Sequence, residues 1–392
     1  MNGKELVIKT LRHETCDAIP WIPFAGVHAG KLVGYDAKEV LTGPDKLIAA
    51  LGEVHKLYQP DGMPVLFDLQ IEAEILGCEL KWADKAPASV VSHPSIDKTI
   101  PTIIPSREDG RLPLVLTALD ALKPTIGDDT ALFGLICGPF TLASHLRGND
   151  IFMDMFDDPD FVGELMRYST RVVTAMADIY INAGFDVIAI VDPLVSQISP
   201  DHFNEFYANS FTDVFAHIRK NDVPSAFFVC GNATRNIEVM CRTAPDAIFV
   251  DENVDMAAAK TITDEHDIVI GGNIPLTSIM LHGTQQDNMK YVVELIDALG
   301  RHNICIAPGC DMPYDVPPEN TIAVQQAIRE TESVREMIRN YEAPADDTIV
   351  DIPDYAALKK PLIEVFTLDS ATCAACTYMV KSVTDIYDEM KD

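Results

Sequence analysis

Short apolar runs recur along the chain, and nearly all end in Gly, Pro, Asn, Asp, Glu or Cys. From Leu132 onward they read LFGLICGPF, DVIAIVDP, SAFFVCGN, AIFVDEN, DIVIGGN and NICIAPGC, spaced mostly about 20 to 50 residues apart. Runs of this kind carry no hydrophobic-polar alternation, which is the pattern of strands buried on both faces of a parallel sheet. The segments between them have helical length. Two earlier strand-like stretches, near Ile19 (IPWIPF) and over Met63–Phe67, raise the number to about eight. Repeated βα units in that number predict a (β/α)8 TIM barrel rather than an open sheet. The opening MNGKELVIKTLRHE is amphipathic and helical, and a second helical pattern covers Gly43 to Tyr58. Pro87 to Pro113 is rich in Pro, Ser and charge and reads as a long excursion from the repeat. The barrel closes near Arg339, after a helix over Asn320 to Ile338, so residues 1–340 form the barrel domain.

In α/β folds of this kind the site lies where strands end, because polar residues at successive carboxyl ends face one opening. The unit Ser225–Asn253 has two such ends, Cys230-Gly231-Asn232 and Asp251-Glu252-Asn253, and a later strand ends at Pro308-Gly309-Cys310. Cys230, Glu252 and Cys310 are therefore expected to meet. Two thiolates and a carboxylate suit Zn²⁺ with an open coordination position. Asp68 and Asp192 also end strands and are candidates for proton acceptor or substrate anchor, the alternative for each being a helix cap. Glu72 and His93 are further candidates, as are His28, between glycines in GVHAG, and His145 in SHLRGN. Asn232 and Asn273 offer amides to a polar ligand or else serve their own turns. No G-x-G-x-x-G or Walker loop occurs, so dinucleotide and NTP chemistry are not indicated.

Past the barrel, residues 341–360 are rich in Pro and Asp and read as a linker. Residues 361–392 bring an expected strand at Leu362–Leu368, then Cys373-Ala374-Ala375-Cys376 opening a helix. Strand, CxxC and helix begin a thioredoxin-like unit, with Cys373 and Cys376 as a redox pair, the alternative being the similar CxxC of soft-metal-binding domains; so short a segment is only part of either fold. Composition narrows the partners. The 392 residues carry a formal charge of −30 with 47% hydrophobic content, which argues against nucleic acid and anionic membrane surfaces. Nine cysteines, the absence of a signal-peptide pattern and of any long uncharged apolar stretch predict a cytoplasmic protein with free thiols.

The stretches PFAGVHAG, FDLQIEAEILGCEL, CGPFTLASHLRG, DPLVSQISPDHFNEF, VCGNATRNI, VDEN, GGNI and APGCDMPYDVPPENT resemble the uroporphyrinogen decarboxylase superfamily over about residues 1–340, and within it the corrinoid-dependent methyltransferases. The decarboxylases carry an early Arg-rich motif for porphyrin carboxylates; PFAGVHAG has no arginine, so that reaction is not implied. The methylcobamide:thiol methyltransferases hold zinc through a His-x-Cys pair, a distant Cys and an acid. Carried over, these fall on Phe228, Cys230, Cys310 and Glu252, with Phe228 standing where the pattern has histidine. The resemblance to aryl methyl ether demethylases, through GVHAGK and FDLQIEAE, implies methyl transfer from a small methylated donor to the Co(I) of a partner corrinoid protein. Phe228 is then expected at the wall of the substrate pocket. The rival within the class is transfer from methylcorrinoid to a thiol of coenzyme M type or to tetrahydrofolate. A rival of another class is a non-catalytic redox or binding protein working through its CxxC tail.

Overall fold

A computed structural model describes residues 1–343, 354–358, 360–367, 380, 383, 384, 386 and 387. Seven parallel strands pair in chain order: β1 (Gly62–Leu66), β2 (Ala131–Cys137), β3 (Val187–Val191), β4 (Ser225–Val229), β5 (Ala247–Val250), β6 (Val269–Ile274) and β7 (Ile304–Pro308). Each expected apolar run from Met63 onward in the barrel region becomes one of them. The eighth position is filled by the extended stretch Pro20–Phe24. Ile22 donates to the Ile306 carbonyl at 3.0 Å, Ile306 donates to Pro20 at 2.9 Å, and Asp61 donates to Trp21 at 2.9 Å. This stretch thus bridges β7 and β1, completing a (β/α)8 barrel.

The alternation within β4 shows how the barrel fills. Phe227 points outward, stacking on Phe211 at 4.5 Å and meeting Phe215 at 5.5 Å, both on the helix Ala208–Lys220. Phe228 therefore points inward, since successive strand residues face opposite sides. Its ring meets Phe24 at 4.7 Å, Phe67 at 5.8 Å and Phe249 at 5.8 Å. These four rings come from four different barrel positions and pack the interior as a plug. Gly271 faces the same layer, and any side chain there would strike the Phe249 ring.

The outer helices follow local rules. The first, Gly3–Leu11, starts with a capping box between Asn2 and Glu5. The 25-residue helix Pro159–Ala183 begins on Pro at its first turn and ends at Gly184 with φ of 85°. Between β1 and the helix Leu112–Ile126 lie the short helix Ile71–Ile75 and a two-residue ladder, Leu80–Lys81 against Ser89–Val90, the second strand of which falls in the excursion. The expected final barrel helix is two, Pro318–Arg329 and Thr331–Ile338.

One expectation needs correction. Residues 361–367 form no strand, and Phe366 there is 82% exposed. A strand needs an edge to pair with, and a closed barrel offers none. Leu368, Cys373 and Cys376 lie outside the described residues.

Candidate active site

The strand ends converge at the carboxyl-terminal mouth. Cys230, two residues beyond Phe228, and Cys310, after β7, come together with Cα atoms 5.8 Å apart and are joined as a disulfide. Both are buried, at 0% and 3% exposure. The expected meeting of the two cysteines therefore holds, whereas the expectation that both are free thiols does not. The other described cysteines, Cys16, Cys78, Cys137, Cys241 and Cys305, are free and buried.

The expected zinc site finds no support in this geometry. Sulfurs bonded to each other are not thiolates, and Glu252 Oε2 accepts the Leu276 N–H at 2.6 Å. The position that would add an imidazole is Phe228, sealed in its ring cluster. Among the described residues no group of three or more His, Cys, Asp and Glu side chains could hold a metal ion. Cys230, Glu252 and Cys310 do not fit zinc in this arrangement, because reduction would have to free the thiolates first. Phe228 itself is fully buried rather than lining a pocket wall, since three neighbouring rings cover it.

Five carboxyl groups cluster at or just past the strand ends, each at most 4% exposed: Asp68, Glu72, Asp192, Asp251 and Asp311. Their hydrogen bonds separate them. Asp192 takes the amides of Phe140 at 2.9 Å and Thr141 at 3.1 Å, plus the Thr141 hydroxyl at 2.6 Å. Those amides open the helix Pro139–Arg147, so Asp192 serves as a cap reaching back to the preceding βα unit. Gly138 makes this possible, because a Cβ there would collide with the Asp192 side chain. Burial pushes Asp192 up to about 7. Asp311 accepts the Gly26 amide at 2.8 Å, and burial raises it well above the usual carboxylate range. Asp251 accepts the Asn253 amide at 2.9 Å in its own turn.

Asp68 accepts the Gln70 amide at 2.8 Å with one oxygen and pairs with Arg111 through the other. Arg111 also donates from Nε to Glu74 at 2.7 Å and lies 5.0 Å over the Trp82 ring. Glu72, on the short helix Ile71–Ile75 beyond β1, accepts the amide of Cys137, the last residue of β2, at 3.1 Å through Oε1. Its Oε2 is buried with no hydrogen-bond partner, and so is Arg111 Nη2. Burial pushes the Glu72 carboxyl up to about 8, with the Asp68 charge adding to the effect and Arg111 opposing it. Burial therefore favours the protonated form of Glu72 near neutral pH.

The remaining expected residues are structurally engaged. His28 Nδ1 donates to the Tyr314 carbonyl at 3.0 Å, so Nε2 accepts the Tyr58 hydroxyl at 2.7 Å. Burial lowers this histidine to about 4 and keeps it neutral. His93 Nδ1 donates to the His145 carbonyl oxygen at 2.8 Å, fastening the excursion to the helix Pro139–Arg147. His145 is itself buried. Asn273 donates to the carbonyls of Asp251 at 3.1 Å and Val254 at 2.8 Å, bracing the turn after β5. Asn232 is exposed and accepts the Thr234 amide at 3.2 Å, closing its own turn. A cavity of about 220 Å³ lined by Thr10, His13, Cys16, Arg301 and His302 lies at the other end of the strands.

Arg111 escaped the reading of sequence. It stands alone in GRLPLV after the excursion, and its pairing with Asp68 across 43 positions has no local signature.

Residues 2–331 match the Uroporphyrinogen decarboxylase (URO-D) family, and the chain belongs to it. Its relatives include the Methylcobamide:CoM methyltransferase MtbA of Methanosarcina acetivorans, 29% identical over 329 residues, or 81% of this chain and 94% of that protein. The uroporphyrinogen decarboxylase of Nostoc punctiforme is 25% identical over 286 residues, covering 71% of this chain and 80% of that protein. Among solved structures, a methyltransferase from Methanosarcina mazei superposes with a TM-score of 0.77 at 23% identity, over 85% of this chain and 99% of that one, a likeness of fold. No helix among the described residues is long and apolar enough to cross a membrane.

Proposed function

We propose that this chain moves a methyl group from an aryl methyl ether to the Co(I) of a corrinoid carried by a partner protein. Support for the class comes from family membership and from the relative named for methylcobamide chemistry, which aligns over 81% of the chain. Support for the direction comes from one observation, the burial of Phe228 among Phe24, Phe67 and Phe249. A thiol acceptor has to be made a thiolate at neutral pH, and a metal lowers its pKa to do so. An apolar plug at the imidazole position removes that device. An ether donor has no proton to lose and needs instead an acid for its leaving oxygen.

The convergence of Cys230 and Cys310 favours a second reading. Reduced, the two sulfurs would offer thiolates to a metal, in keeping with methyl delivery to a thiol. One experiment separates the two. The protein is mixed with reduced corrinoid protein and a panel of methoxyarenes. The Co(I) absorbance should decay as the matching phenol is released. If no methoxyarene reacts while a thiol or tetrahydrofolate demethylates methylcobalamin, the direction is the reverse.

A further inference from the structure

Two buried polar atoms at the mouth have no hydrogen-bond partner and belong to one charge cluster. Glu72 Oε2 is an acid oxygen whose twin is fixed on the Cys137 amide, and Arg111 Nη2 belongs to a guanidinium whose other nitrogens are held by Asp68 and Glu74. Fixed in this way, neither group can turn to find a partner of its own. Asp192 and Asp68 differ, because caps and ion pairs occupy their oxygens. Asp68 and Arg111 face Glu72 from the β1 side, Cys137 from β2, and Tyr180 from the helix behind β2. Burial keeps Cys137 and Tyr180 protonated, so neither adds charge near neutral pH. Arg111 is neutralised by Asp68 and Glu74. The pair therefore offers hydrogen-bond donors without net positive charge, which suits an uncharged oxygen better than an anion.

We propose that Glu72 and Arg111 form a two-donor subsite for the leaving oxygen of the methyl donor, with Glu72 as the acid that protonates it. The inference rests on the reading that the donor is an aryl methyl ether. In the step, the bond between methyl carbon and aryl oxygen breaks with its electron pair left on oxygen. The methyl carbon bonds to the partner's cobalt, which supplies the new pair and passes from Co(I) to Co(III). The Glu72 proton moves to the oxygen, giving a neutral phenol, and water returns a proton to the carboxylate before the next turnover. Both donor atoms are covered. Access for the donor therefore requires the excursion that ends at Arg111 to shift, a motion loops make more readily than barrel strands.

The test uses the whole chain with reduced corrinoid protein and two donors, guaiacol and a nitro-substituted anisole whose phenolate leaves without a proton. Glu72→Gln should slow transfer from guaiacol by about 10²- to 10⁴-fold, the usual worth of a positioned acid, but slow the nitroanisole far less. Arg111→Lys, which keeps the charge beside Asp68, should slow guaiacol more than nitroanisole as well. The wild-type rate with guaiacol should fall as pH rises through about 8, and the Glu72→Gln rate should not. Equal slowing of both donors would reduce Glu72 to a structural part and overturn the proposal. A wild type inert to every methoxyarene would instead defeat the reading of the donor, and a second measurement then judges the subsite. Infrared difference spectra of wild type against Glu72→Gln should show a protonated carboxyl band at neutral pH that shifts when a free phenol is added. An unshifted band, or none, would overturn the subsite.

Discussion

Replacing Phe228 by histidine tests whether this position is a vacated ligand site. The phenyl ring is fully buried with three aromatic neighbours. Burial of such a ring contributes about 1.5–3 kcal/mol, and each well-placed ring pair about 0.5–1.5 kcal/mol more. An imidazole regains part of the area but brings an N–H and a ring nitrogen into a layer of carbon, where an unsatisfied polar group costs about 1–3 kcal/mol. The loss should total about 3–5 kcal/mol, a large share of the roughly 5–15 kcal/mol that holds a folded protein. Urea unfolding under reducing conditions should show the midpoint drop. Zinc should then restore part of it in Phe228→His and not in wild type. Binding to the native state alone adds about 2.7 kcal/mol at a free metal concentration of 100 Kd, and the double variant Phe228→His with Cys230→Ser should lose that gain. If Phe228→His is as stable as wild type and zinc moves neither, the ring does not plug a ligand position and the argument fails.

Two further outcomes follow from the same cluster. Asp68→Asn leaves the Arg111 guanidinium with Glu74 as its remaining carboxylate, and breaking so buried a pair should cost about 3–5 kcal/mol in urea unfolding; a loss below about 1 kcal/mol would mean the pair is effectively solvated. Glu72 and Asp192 hold their protons in the folded chain to about 8 and about 7, against ordinary carboxyl values of 4.5 and 3.8. Between those limits the native state binds more protons than the unfolded one, so stability should fall as pH rises from about 4 to about 8. Glu72→Gln should flatten the upper part of that slope, and a profile rising through the window would contradict it.

The strands were legible because a run such as AIFVDEN states its own structure: four apolar residues buried on both faces, then polar residues that must leave the sheet. The convergence of Cys230 with Cys310 was legible for the same reason, since strand order and parity put both on the mouth. The roles of most polar candidates were not, because they depend on partners remote in sequence. Asp192 looks like a proton acceptor until Phe140 and Thr141 occupy its oxygens. His28 looks poised between glycines until Tyr314, 286 positions away, takes one ring nitrogen and Tyr58 the other. Asn273 is bound to carbonyls 22 and 19 positions back. Residue type announces chemical capacity, and only the fold decides whether that capacity is already used.

That distinction also explains why a mouth crowded with carboxyls can serve one acid reaction. Left ionised and unpaired, five buried carboxylates would repel one another and carry a heavy desolvation cost. The fold disposes of them separately: Asp68 into an ion pair, Asp192 and Asp311 onto backbone amides, Asp251 into a turn. Glu72 takes backbone amides but no cation of its own, and its burial outweighs them, so it holds its proton more tightly than an ordinary carboxyl. An acid of this kind would be wasted on a thiol acceptor, whose proton must be removed rather than supplied. It suits a bond that breaks toward oxygen, where the neighbouring Arg111 N–H and the carboxyl proton can both meet the charge as it forms.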